Sequence, residues 1–98
     1  MTFSMLAMDA QRQFMVAASA TKTLSVGANV IALRARVGGV LSQALTNPEL
    51  RETGLEAMSN ESVIATALEQ TLAKDNDMET RQVALMNPKG EAAVHTGK

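Results

Sequence analysis

A chain of 98 residues buries a smaller share of its surface than a larger domain does, so its core is thin. Hydrophobic residues make up 46% of it but aromatics only 2%, Phe3 and Phe14. Packing therefore falls to Ala, Met, Leu and Val, which suit helix-on-helix contact better than a β-sandwich. Nine Lys and Arg against ten Asp and Glu leave a net charge of −1, with no basic stripe and no interleaved rings. That excludes nucleic acid as the expected partner. Cysteine is absent, which removes disulfides, thiolate metal sites and cysteine nucleophiles and is compatible with a cytoplasmic location.

Met1 to Met8 is apolar but lacks a basic start, and Asp9 interrupts it, so no export signal is expected. From Asp9 to Leu45 the sequence contains no proline. Its longest apolar stretch, Leu24 to Leu33, is bounded by Lys22 and by Arg34 and Arg36. It is far shorter than the roughly 20 residues that span a bilayer, so no transmembrane segment is expected. At about 100° per residue from Val26, the side chains of Val30, Leu33, Val37, Val40, Leu41 and Ala44 fall on one arc, as in the buried stripe of an amphipathic helix. Gly27, Gly38 and Gly39 would each cost such a helix about 1 kcal/mol relative to alanine. The adjacent pair predicts either a kink or break, or the close approach of another helix.

Thr46-Asn47-Pro48-Glu49 then punctuates the chain, with Asn47 suited to capping and Pro48 to a first helical position. Leu50, Leu55, Met58, Val63, Ile64, Leu68 and Leu72 follow at helical spacing, with Gly54 or Ser59-Asn60 as possible interruptions. Asp75-Asn76-Asp77 makes a polar break before a short final helix expected over Met78 to Met86. The expected fold is all-α: a long N-terminal amphipathic helix and two shorter helices in a small bundle or extended helical hairpin. Residues 1–86 would form one helical domain, and residues 87–98, rich in Pro, Gly and charge, a disordered tail.

No convergent catalytic set emerges. His95 is the sole histidine and falls in the expected tail, so no serine has a histidine partner on an ordered element. Asp75, Asp77 and Glu79 alternate like the first ligands of a calcium loop, but Thr80 stands where that loop needs glycine, and a solvated helix start is the expected reading. The expectation is a protein without catalytic, cofactor-binding or metal-binding residues, and not an enzyme. Its working surface would be Val26, Val30, Leu33, Val37, Val40 and Leu41, either a bundle core or an external binding face.

Three stretches resemble the phasins, small proteins of polyhydroxyalkanoate-storing bacteria: Val30-Ile31-Ala32-Leu33-Arg34, Asn47-Pro48-Glu49-Leu50, and Met58-Ser59-Asn60-Glu61-Ser62-Val63. In the third, Ser62 stands where the family's segment has lysine. The resemblance implies a non-catalytic cytoplasmic protein that coats intracellular polyester granules with amphipathic helices, as a homo-oligomer. The alternative is a protein–protein adaptor or homo-oligomeric assembly subunit whose aliphatic stripe is buried against itself or against another helical protein.

Overall fold

The computed structural model describes residues 3–9, 11, 14–20, 30–44 and 47–97. Its strands are β1 (Phe3–Met8), β2 (Met15–Ala20), β3 (Ile31–Arg34), β4 (Gly38–Ala44), β5 (Arg81–Met86) and β6 (Ala92–Thr96). Two helices, α1 (Glu49–Asn60) and α2 (Ile64–Ala73), lie between β4 and β5, and a 3-10 turn spans Met78–Thr80. β3, β4, β5 and β6 form one antiparallel sheet in that order, and β1 pairs with β2 in a separate antiparallel hairpin.

This mixed α/β architecture overturns the expected all-α fold. The proline-free stretch read as one long amphipathic helix contains a turn and parts of two hairpins. Along it, β3 and β4 pair with Leu33 opposite Gly39 and Arg34 opposite Gly38. The turn between them closes through the Val37 N–H donating to the Arg34 carbonyl, 3.1 Å. Gly38, with φ +136, occupies backbone that side chains rarely adopt, and a Cβ there would run into the Met86 carbonyl oxygen. The glycine pair thus opens a central strand and neither kinks nor ends a helix. Met78 to Met86 is likewise a 3-10 turn followed by β5, not a helix. Residues 92–96, read as part of a tail, are the edge strand β6.

The helical spacing read beyond Pro48 does correspond to helices. The Asn47 Oδ1 accepts the Glu49 N–H, 3.1 Å, at the start of α1. α1 ends at Asn60, and α2 packs beside it. Together they cover one face of the four-stranded sheet. Leu50, Leu55, Ala57 and Ala67 of the helices meet Val40, Val83 and Leu85 of β4 and β5 in a single buried cluster. Complete burial of each Leu or Val side chain stabilises the fold by about 1.5–3 kcal/mol, so this cluster is the main source of its stability.

On the opposite face of the sheet, β1 lies against β4, and β2 against β3 and β4. The contact is close at Gly39, where a Cβ would stand 2.8 Å from the Leu6 Cδ2 and 2.9 Å from the Met15 Sδ. At the other end of the sheet, Asp75 and Arg81 form a half-buried ion pair, 2.8 Å, joining the end of the helical crossover to β5. The Arg81 guanidinium hydrogen-bonded to Asp75 holds its carboxyl below the ordinary 3.8, assisted by the Asp77 N–H and by Asn47.

Gly39→Val should destabilise the protein by about 1–3 kcal/mol in urea titration, because the added methyls must displace Leu6 and Met15. The ion pair sets an acid limb. Because the folded carboxyl binds its proton less readily than the unfolded one, the pair's contribution is complete above 3.8 and is lost as pH falls through the lowered folded value. Thermal melts should show Tm dropping over that range, and Asp75→Asn should lower Tm at pH 7 while flattening the dependence.

Candidate functional site

The hairpin covers only half of the sheet. β1 lines one wall of a cleft of about 410 Å³ with Ser4, Met5 and Leu6, and the floor is formed by Leu41, Ala84 and Val94 with their neighbours on β4, β5 and β6. Strand alternation explains the floor. Val83 and Leu85 point to the helices and are buried, so Gln82, Ala84 and Met86 face the cleft. On β6, Ala84 pairs with Val94, which is 67% exposed.

One end of the cleft is polar. The Gln43 Nε2 donates to the Gln82 Oε1 across the β4–β5 pair, 2.6 Å. The Ser4 hydroxyl donates to the Gln43 Oε1 from the hairpin above. A serine has one proton to donate, so the Ser19 hydroxyl, 2.9 Å away, donates to Ser4. The bonds all run in one direction, from Ser19 through Ser4 and Gln43 to Gln82, and each polarises the next. The chain ends on the Gln82 amide nitrogen, a donor with no partner among the described residues and accessible from the cleft. Hydroxyls and amides do not titrate near neutral pH, so this set is suited to binding.

The residues expected to make one interaction surface are dispersed. Val26 lies outside the described residues. Val30 is buried just before β3, and Val40 is buried against the helices. Val37 sits in the β3–β4 turn and packs on the same core. Leu41 faces the cleft from the other side of β4, and Leu33 is 47% exposed near the β3–β4 turn. His95, expected in a solvated tail, is half-buried on β6 and donates from Nε2 to the Met78 carbonyl, 2.9 Å. Asp75 spends its carboxylate on Arg81, and the Asp77 Oδ2 accepts the Thr80 hydroxyl, 3.0 Å, so the two do not converge on a common point. No described helix is long and apolar enough to cross a membrane.

Gln43 and Gln82 did not stand out in the sequence. The available signal was the i, i+2 placement of Val83 and Leu85, which puts Gln82 on the opposite face of a strand.

Residues 2–98 match the sequence profile of a family of unknown function, DUF1028. The chain belongs to that family. Its fold is similar to that of a family member of known structure, protein SPO2555 from Silicibacter pomeroyi, at 32% identity and a TM-score of 0.90. The match covers 98% of this chain and 45% of that one, so the chain spans less than half the length of that relative. No curated protein matches. Family membership overturns the phasin resemblance, and with it the reading of a helical granule-coating protein or helical assembly subunit. The three short matches fall on a strand, a helix start and a helix end, places that share no phasin-like face.

Ser4→Ala should leave the fold intact and cost about 0.5–1.5 kcal/mol, the usual net contribution of a hydrogen bond. In NMR spectra the side-chain amide resonances of Gln43 and Gln82 should both shift. If only Gln43 responds, the hydrogen bonds are not coupled.

Proposed function

We propose that the cleft beside β1 binds an extended segment of polypeptide, which adds as a strand to the free edge of β1 and lies over β5 and β6. The observation that carries this reading is the half-covered sheet. Among the described residues β1 pairs only with β2, which lies over β3 and β4, while β1's other edge borders the apolar cleft. An unpaired strand edge presents a row of donors and acceptors that another strand satisfies. Alternate side chains of such a strand would meet Ala84 and Val94 below, and the Gln82 amide would donate to one of its carbonyls.

The hairpin's outer face supports the same reading. Phe3 and Met5 of β1 and Val16 of β2 are all more than half exposed, and Ala18 and Ala20 lie beside them. A strand pair apolar on both faces is typical of an interior layer, which implies more polypeptide around it. More than half of the SPO2555 chain lies outside the match, so in that protein there is ample polypeptide to fill such a place. The proposed role is binding without bond-making chemistry. A cytoplasmic setting belongs to the same proposal, supported by the absence of cysteine.

An acetylated Thr-Val-Thr-Val-Thr amide peptide provides the test. Its titration should move NMR resonances of β1 and of Ala84 and Val94 in a saturable way. Ala84→Arg, which fills the cleft without touching the helix-facing core, should weaken binding at least about tenfold, or 1.4 kcal/mol. Unmoved β1 resonances, or equal binding by Ala84→Arg, would refute the proposal.

A further inference from the structure

Among the described residues, three hairpin turns meet at one end. There the β1–β2 turn contributes Met8 and Phe14, the end of β3 Leu33, and the β5–β6 turn Pro88, walling a groove of about 490 Å³. That volume falls within the usual range of small-molecule sites, about 300–1,000 Å³. Two arginines of the β3–β4 turn, Arg34 and Arg36, line the same groove.

The two guanidiniums differ in their partners. Arg34 forms an exposed ion pair with Glu52, 2.7 Å away on α1. Arg36 has no hydrogen-bond or ion-pair partner among the described residues. Asp9, which belongs to the same turn as Phe14, uses its Oδ1 to accept the Phe14 N–H, 2.9 Å. Among the described residues the groove therefore offers an apolar wall and one cation, Arg36, without an ion-pair partner. Arg36 lies in the tight β3–β4 turn with φ +66, a left-handed conformation that glycine adopts more cheaply.

We propose that this groove binds a medium-chain monocarboxylate, with its carboxylate on Arg36 and its hydrocarbon chain along Met8, Phe14, Leu33 and Pro88. A guanidinium matches a carboxylate through two parallel N–H···O bonds, which sets the head group's position, while the apolar walls accept the tail without regard to its exact length. The site is separate from the cleft beside β1, which is lined by neutral groups, and does not depend on that cleft's being a strand-binding site.

Decanoate and decanol, matched in chain and differing in charge, discriminate the proposal when titrated by calorimetry below their aggregation concentrations. The protein should bind decanoate at least about tenfold more tightly than decanol. Arg36→Gly, which suits the left-handed backbone, should abolish that preference and keep a cooperative thermal transition. Methyl NMR on the unmodified protein supplies a readout that needs no variant: decanoate should shift Met8 and Met15 and leave Met5 and the methyls of Ala84 and Val94 in place. Equal affinity for decanol, an unchanged preference in Arg36→Gly, shifts confined to the β1 cleft, or no saturable binding would each overturn it.

Discussion

β4 runs through the middle of the molecule with apolar side chains on both faces, and almost every other element is placed by the need to cover it. Val40 requires a layer on one side and Leu41 a layer on the other, and both residues are nearly inaccessible to solvent. The helices satisfy the first requirement through Leu50 and Leu55, and the β1–β2 hairpin satisfies the second. Gly39 lets the second layer approach closely, because a Cβ there would stand within 3 Å of the tips of Leu6, Leu33 and Met15. The thin core expected of so short a chain is thus shared between two interfaces of unequal strength. Most of the fully buried side chains lie on the helix side.

The crossover from β4 to β5 is held at both ends by polar contacts. Ser42, buried in β4, donates to the Asn47 carbonyl at 3.2 Å, which fixes the entry into α1. The Asp75–Arg81 pair fixes the exit, and the Gly97 N–H donates to the Arg81 carbonyl from the end of β6. A carboxylate partly withdrawn from water is stabilised by pairing and hydrogen bonding. Asp75 has both through contacts with Arg81 and Asp77, so the charges specify where β5 begins.

On the hairpin side the covering is incomplete, and this is where function is best sought. Among the described residues the hairpin lies over β3 and β4, and the cleft beside it is floored by β4, β5 and β6. The polar chain from Ser19 to Gln82 lies at the boundary between covered and open sheet, where it can both tie the hairpin down and present a donor to an occupant. The turn end is chemically distinct, combining exposed apolar side chains with the charge of Arg36. Among the described residues the cleft is lined by neutral side chains, and the groove by apolar side chains and two arginines.

The two helices were legible in the sequence because Leu50, Leu55, Leu68 and Leu72 face one layer only, and a one-sided burden imposes the 3.6-residue period directly. The polar breaks after Ala44 and Ala73 were legible for a related reason, since Asn47-Pro48 and Asp75-Asn76-Asp77 carry local turn and capping chemistry of their own. The strands were not. A strand covered on both faces shows no polar alternation, and the dense aliphatic residues of 30–41 therefore fit a helical arc as easily as a strand–turn–strand. Arg34 to Gly39 did carry a hairpin signal, a short polar turn with glycine between β-branched stretches, but only pairing across the turn gives Gly38 its left-handed role. The cleft and the groove depend entirely on tertiary structure. They join Ser4 to Gln43 and Gln82, and Met8 to Arg36 and Pro88, residues far apart in the chain that meet only because two sheets stack and three turns fall at the same end.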